Sequence, residues 1–248
     1  MNNILILGAS GTLGKTLVSK LHNYNLFLAG RKYEDTINTF NLDLNDHNSI
    51  KDFLIKIRDV SLDCVIVNSG TYEPYSLNSL GVETNLMVNS FAPYYLIKKL
   101  KELNSNLIVV LTTSISILKG KLEFKPKKWH LIYRNTKLLE FLLFDKLKNE
   151  GLDIRYAHPG LTHSKLSLSL HSPLVSFFIK HFTISNDKAV KPIIMALDYN
   201  YNGQYWLCPK FFGIYGNPKL EKIKLEVNLN QDIIEYINEI ERKIENGI

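Results

Sequence analysis

The chain has 248 residues, enough for one or two domains and for a sizeable core without disulfide staples. A composition of 45% hydrophobic and 22% charged residues excludes wholesale disorder and a collagen-like fibre; two cysteines, Cys64 and Cys208, exclude a disulfide framework or structural zinc site and fit a reducing compartment. The net charge of +6 leaves three kinds of partner open: nucleic acid, a membrane surface or an anionic small molecule.

Met1-Asn2-Asn3 leads straight into Ile4-Leu5-Ile6-Leu7, without a basic leader or a cleavage site, so a cytoplasmic location is expected. No apolar run approaches the ~18 residues that span a bilayer. Residues 4–7 read as a strand and 15–22 as a helix. Between them lies Gly8-Ala9-Ser10-Gly11-Thr12-Leu13-Gly14. Glycines between a strand and a helix allow a tight turn and let backbone N–H groups approach a pyrophosphate, and the helix N-terminus adds a favourable dipole. Gly14-Lys15-Thr16 would also end a P-loop, but Ala9 stands where that motif needs glycine, so nucleotide triphosphate chemistry is a minor alternative.

Residues 26–29 form the next expected strand, ending in Ala29-Gly30-Arg31-Lys32. A site for NAD usually carries an acid there to hold the ribose 2′-hydroxyl; a cationic pair suits a 2′-phosphate instead, favouring NADP(H) over NAD(H). Asp43 and Leu44 follow another short strand and could touch an adenine; Asp43 could equally cap the next turn. A helix is expected over 49–57, with Ile50, Phe53, Leu54 and Ile57 on one face, and a strand over 64–67, followed by Asn68-Ser69-Gly70. A long helix over 86–103 carries Asn89, and a strand over 107–111 leads into Thr112-Thr113-Ser114. Five lysines and one glutamate in 119–128 form a basic loop of local charge +4. The helix over 133–149 opens with Tyr133 and Lys137. Four residues apart, they share a helix face, and a neighbouring ammonium favours a phenolate, so the pair suits a general acid/base.

A strand over 154–157 ends at His158-Pro159-Gly160. Residues 161–184, apolar but studded with Ser and His, read as a substrate lid, with membrane-surface contact as the lesser alternative. The stretch 208–218 is turn-rich, and residues 219–248 form a helical tail, with an amphipathic helix from about Asp232 to Ile244 whose stripe is Ile233, Ile237, Ile240 and Ile244. His158, His163, His171 and His181 match no metal-ligand spacing, so no metal is expected. The β-α-β-α alternation, with strands apolar throughout, implies a doubly wound parallel sheet covered by helices on both faces. No helix-turn-helix or other nucleic-acid motif appears, so nucleic acid is excluded as a partner.

In this order, six segments resemble the short-chain dehydrogenase/reductase family. They are the glycine turn at 8–14, Asn68-Ser69-Gly70, Val88-Asn89-Ser90, Thr112-Thr113-Ser114, Tyr133 with Lys137, and Pro159-Gly160 followed by Thr162 and Ser164. Residues 80–89 and 133–142 resemble most closely the branch of retinol dehydrogenases and protochlorophyllide reductases. The resemblance implies a single α/β domain over 1–248, a Rossmann-type three-layer α/β/α sandwich, assembled as a homodimer or homotetramer. It implies hydride transfer between NADP(H) and a small carbonyl or alcohol. Tyr133 would be general acid/base, Lys137 would lower its pKa and bond the cofactor ribose, Ser114 would hold the substrate oxygen, and Asn89 would order a water leading to Lys137. Gly8, Ser10, Gly11, Thr12, Leu13, Gly14, Asn68, Ser69, Gly70, Pro159, Gly160 and Thr162 would line the cofactor.

Three features depart from the family pattern. The glycine spacing is wider than the common short form and is shared with members that bind cofactor without catalysis, so a non-catalytic NADP(H) sensor or scaffold is the alternative function. Thr113 competes with Ser114 as the active-site hydroxyl, with Ser114 preferred. Ser114 lies 19 residues before Tyr133, a longer interval than usual, and the basic loop accounts for the excess. That loop should border the substrate and could draw an anionic one; a solvated loop is the alternative.

Overall fold

The computed structural model describes residues 1–124, 131–162, 184–199, 201, 203–211, 213 and 215–247. Six strands run parallel: β1 (Asn3–Leu7), β2 (Asn25–Gly30), β3 (Thr39–Asn41), β4 (Cys64–Val67), β5 (Ile108–Thr112) and β6 (Asp153–Ala157). β7 (Tyr205–Phe211) continues them in parallel, and β8 (Tyr215–Lys222) closes the edge antiparallel to β7. The order across the sheet is β3-β2-β1-β4-β5-β6-β7-β8. The chain therefore winds outward from β1 to β3, then crosses back to β4 and winds the other way. This is the doubly wound Rossmann-type order, and its switch point lies between β1 and β4.

The residue pattern explains the two layers of helix. Successive side chains on a strand point to opposite faces. Ile4, Ile6, Cys64 and Ile66 enter one core, with Leu17 and Leu21 at helix α1 (Thr12–Lys20) and Val190, Ile193 and Leu197 nearby. Val190 joins the short helix α6 (Asn186–Ala189) to α7 (Lys191–Asp198), which carries Ile193 and Leu197. Leu5, Leu7, Val65, Val67, Val109 and Leu111 enter the other core. There they meet α2 (His47–Ile57), α4 (Ala92–Leu103), α5 (Ile132–Asn149) and α8 (Gln231–Asn246). Strands apolar on both faces thus sit between two helical layers, as the continuous runs imply.

Three expectations are corrected. The helix expected over 86–103 is not continuous: a single turn α3 (Thr84–Leu86) passes into a π-helical turn, Met87–Phe91, before α4 begins. The turn-rich reading of 208–218 misses a hairpin, because Pro209 and Pro218 face each other in the β7–β8 ladder. Pro218 is tolerated because β8 is an edge strand, and Pro209 because β7 pairs with β6 only at Trp206 and Leu207. The tail expected from residue 219 accordingly begins as strand, while its helix runs from Gln231, beside the expected start at Asp232, and is capped by the Asn230 side chain accepting from Ile233 N. Ile237, Ile240 and Ile244 of that helix are buried in the core, and Lys98 and Lys99 pair with Glu241 and Glu245 on its flank. The substrate lid expected over 161–184 lies outside the described residues except at its ends, as do His163, Ser164, His171, His181 and lysines 125, 127 and 128. No helix among the described residues is long and apolar enough to cross a membrane.

Candidate functional site

Parallel strands bring their C-terminal ends to one edge, and the expected site residues follow β1, β2, β4, β5 and β6 there. Gly8 follows β1 with φ +83°, a left-handed conformation that favours glycine. Its N–H and that of Ala9 both donate to Ala29 O, at 2.9 and 3.2 Å, tying the turn to the end of β2. A Cβ on Gly8 would lie 2.9 Å from Ser69 Cα, and one on Gly14 would lie 2.3 Å from Gly8 O. Asn68 N donates to Leu7 O at 3.0 Å, so Asn68-Ser69-Gly70 lies directly against the glycine turn across the switch point. Gly11 starts α1 without any side-chain cap, leaving the first-turn donors around Thr12 and Leu13 free for an anion. Ser69 Oγ is buried without a hydrogen-bond partner among the described residues.

Arg31 and Lys32 follow β2, exposed and free of carboxylate partners among the described residues. Ser10 lies under Gly30, whose Cβ would come within 2.7 Å of Ser10 Oγ. Asp43 takes the capping role: its Oδ1 accepts from Asn45 N at 3.0 Å, and the buried Leu44 beside it joins the core. The minor P-loop alternative finds Lys15 exposed on α1 and Gly14 packed tightly beneath the turn. A backbone cradle only glycine fills, an uncapped helix start and two unpaired cations one strand away fit a dinucleotide with a 2′-phosphate.

The chemical end lies beyond β5. Ser114 caps a 3-10 turn, Ile115–Lys119; its Oγ accepts from Ser116 N at 3.2 Å and its hydroxyl bonds the Tyr133 phenol. Thr113 is buried with no partner for its Oγ1 among the described residues, and Ser114 is the hydroxyl that meets Tyr133. The turn is fastened to α5 by Asn135, whose Oδ1 accepts from Lys121 N at 2.9 Å and whose Nδ2 donates to Glu123 O at 2.6 Å. The described half of the basic loop thus packs on the helix rather than standing free.

Asn89 is carried by the π-helical turn, a kind of insertion frequent at functional sites. Its amide donates to Thr71 O at 2.9 Å and to Thr136 Oγ1 at 3.0 Å, and its Oδ1 accepts from Thr71 N at 2.7 Å. Both amide hydrogens are therefore used within the protein. Asn89 reaches the residue before Lys137, not Lys137 itself.

The Lys137 ammonium, nearly inaccessible, donates to Thr112 O at 3.0 Å and contacts the fully buried carboxylate of Glu140. The expected fall in the Tyr133 pKa is corrected here. The Lys137 charge does pull the phenol down, as does Ser114, but burial outweighs them and the Glu140 charge opposes them, so the phenol is pushed up. Burial likewise raises the Glu140 carboxyl to about 7 against the pull of Lys137. Glu140 was missed in the sequence, although it is a lone charge within the apolar run Leu138–Phe144, one turn after Lys137. His158, after β6, is buried and stacked on Trp206, and burial lowers its imidazole to about 4. Pro159 and Gly160 follow at the same edge, Gly160 with φ +85°, and Thr162 is buried and bridges to Ile184.

No protein-family model matches the chain, and no curated protein matches it. Its fold is similar to that of several solved structures. One is the crystal structure of an uncharacterized protein from Mycobacterium paratuberculosis, with a TM-score of 0.66 and 20% identity, covering 99% of this chain and 94% of that one. A short-chain dehydrogenase/reductase from Burkholderia multivorans with bound NADP has a TM-score of 0.58 and 15% identity over 80% of this chain and 92% of its own. A short-chain dehydrogenase from Burkholderia cenocepacia in complex with NADP has a TM-score of 0.57 and 15% identity, over 81% and 85%. At these identities the likeness is one of fold.

Proposed function

We propose that the chain is an NADP(H)-dependent oxidoreductase acting on a small carbonyl or alcohol, with Tyr133 as general acid/base. The observation that carries this reading is the meeting of Tyr133 and Ser114 at the same sheet edge as the glycine turn, with the Lys137 charge acting on the phenol. When bound, the cofactor supplies hydride to a carbonyl carbon or takes it from an alcohol carbon. The turn at Gly8, Gly11 and Gly14, with Ser10, Thr12 and Leu13, would hold the pyrophosphate, and Arg31 and Lys32 would hold the 2′-phosphate in preference to a bare hydroxyl. Asn68, Ser69 and Gly70, Asp43 and Leu44, and Pro159, Gly160 and Thr162 would line the rest.

Tyr133 Oη would give its proton to the carbonyl oxygen during reduction and take one from the alcohol during oxidation. Ser114 Oγ would orient that oxygen. Asn89 fixes Thr71 and Thr136, and so fixes the helix turn that carries Tyr133 and Lys137. The motif style of residues 80–89 and 133–142 supports a place near the retinol dehydrogenase and protochlorophyllide reductase branch. We read the whole chain as one domain with residues 161–184 as its lid, and the loop 119–128 as a means of drawing an anionic substrate.

The test is loss of nicotinamide absorbance when the protein is mixed with NADPH and a panel of aldehydes, ketones and keto-acids, repeated with Tyr133→Phe. Turnover abolished by the substitution supports the role; turnover that survives it removes Tyr133 from the chemistry. A second reading, a non-catalytic NADP(H) sensor, is favoured by one observation: Lys137 is committed to Glu140 and Thr112 O. Tight NADPH binding without turnover on any carbonyl would select it.

A further inference from the structure

Glu140 is a costly residue to keep. A carboxylate with no solvent exposure has lost the hydration that an ionised group needs, and such groups are retained only where a partner compensates them. Its compensation is Lys137, one turn earlier on α5; neither Glu140 oxygen has another hydrogen-bond partner among the described residues. Lys137 in turn spends its other contact on Thr112 O at the end of β5. The pair therefore sits in the seam between α5 and the C-terminal end of the sheet, where Tyr133 is also held.

We propose that Glu140 is a positioning residue: its buried carboxylate holds the Lys137 ammonium against the end of β5 and offsets its charge beside Tyr133, so that the phenol gives up its proton less readily. The inference rests on Tyr133 being the acid of the proposed reaction. The charged groups acting on Tyr133 are Lys137, which favours the phenolate, and Glu140, which opposes it. Lys137 is the charge that acts on Glu140. His158 after β6 also feels the Lys137 charge, and burial keeps it neutral near pH 7. Thr112, Ser114 and Asn89, from β5, the 3-10 turn and the π-helical turn, carry no charge. With Glu140 neutral, no other charge acting on Tyr133 among the described residues cancels Lys137, and the phenol should ionise more readily.

The test is a titration of tyrosinate absorbance in the cofactor-free protein, taken as the difference between each form and its Tyr133→Phe counterpart. Glu140→Gln keeps shape and removes charge; Tyr133 should then ionise about one pH unit lower than in the wild type. Glu140→Asp, which restores a carboxylate, should return it toward the wild-type pH. In the loaded enzyme the pH at which alcohol oxidation rises, where Tyr133 becomes a base, should move down with Glu140→Gln by the same amount. Ionisation unmoved or moved upward in Glu140→Gln overturns the proposal. Should Glu140→Gln not fold, the double variant Lys137→Met with Glu140→Leu buries no charge and decides the same question. Its Tyr133 should ionise close to the wild-type pH, because two offsetting charges have gone together; ionisation about a unit higher would mean that Lys137 acted alone, and would overturn the proposal. The titration needs no substrate, so absence of turnover would defeat the proposed oxidoreductase activity while leaving this result to stand or fall separately.

Discussion

Gly14→Ala separates two opposing effects on the cradle. Alanine is the better helix former by about 1 kcal/mol, and Gly14 lies within α1, so propensity alone makes the variant more stable. Packing opposes it. The new Cβ would sit 2.3 Å from Gly8 O and 2.7 Å from Ala9 C and Cα, where ordinary contact begins at 3.4 Å. All three obstructing atoms are backbone, and the turn that holds them is pinned to Ala29 O by two N–H groups. Relief must come from α1 moving outward by about 1 Å, which loosens Leu17 and Leu21 from the sheet. Overpacking of this kind costs ~1–3 kcal/mol, so a net loss of about 1 kcal/mol and a fall of a few degrees in Tm are expected. The cofactor should feel more, because the free N–H groups of α1 shift relative to the Gly8 turn; a tenfold rise in the NADPH Kd corresponds to about 1.4 kcal/mol. Thermal melting and quenching of tryptophan fluorescence by NADPH measure the two effects. Gly81→Ala is the control: its Cβ meets nothing within 4 Å, but φ is +71°, so stability should fall with NADPH affinity unchanged. A Gly14→Ala protein that melts higher and binds NADPH as the wild type does would refute the close-packed cradle.

Replacing Arg31 and Lys32 by serine should raise the NADPH Kd by about 10–100-fold and leave the NADH Kd within about twofold, since only the 2′-phosphate loses its charge-assisted bonds. Parallel isothermal titrations with the two cofactors decide it, and equal losses would refute a 2′-phosphate site. His158, held down to about 4 when folded against an ordinary 6.5, contributes stability that is present in full above pH 6.5 and is lost as pH falls through about 4. The loss is of order 3 kcal/mol. Urea melts of His158→Gln at pH 7.5 and 4.5 should show a smaller drop than the wild type; equal drops would mean that the imidazole is not buried neutral.

Much of the fold was legible because buried parallel strands are apolar on both faces. Ile4–Leu7 and Cys64–Val67 read as strands without alternation, and each is followed by a turn that only a sheet edge explains. The placement of Gly8, Tyr133 and Ser114 at one sheet edge was legible because each follows a strand or opens a helix at a fixed place in the βα alternation. What escaped depends on contacts between distant segments. The π-helical turn around Asn89 is held by Thr71 and Thr136, neither of which a helical pattern singles out. β8 carries Pro218 and a solvent-facing polar sequence, so no apolar run marks it. The Tyr133–Lys137 pair suggested a lowered phenol pKa from helix spacing alone; burial and Glu140, visible only once α5 lies on the sheet, reverse the direction.

The most direct test of the account follows the transferred atom. The protein is incubated with NADPH deuterated at the hydride-donating position and each carbonyl of the panel, and the products are examined by mass spectrometry. The wild type should place one deuterium on the carbinol carbon of at least one product, and Tyr133→Phe should place none above background. Deuterium transfer undiminished in Tyr133→Phe, or none to any carbonyl by a wild type saturated with NADPH, would contradict an oxidoreductase that works through Tyr133.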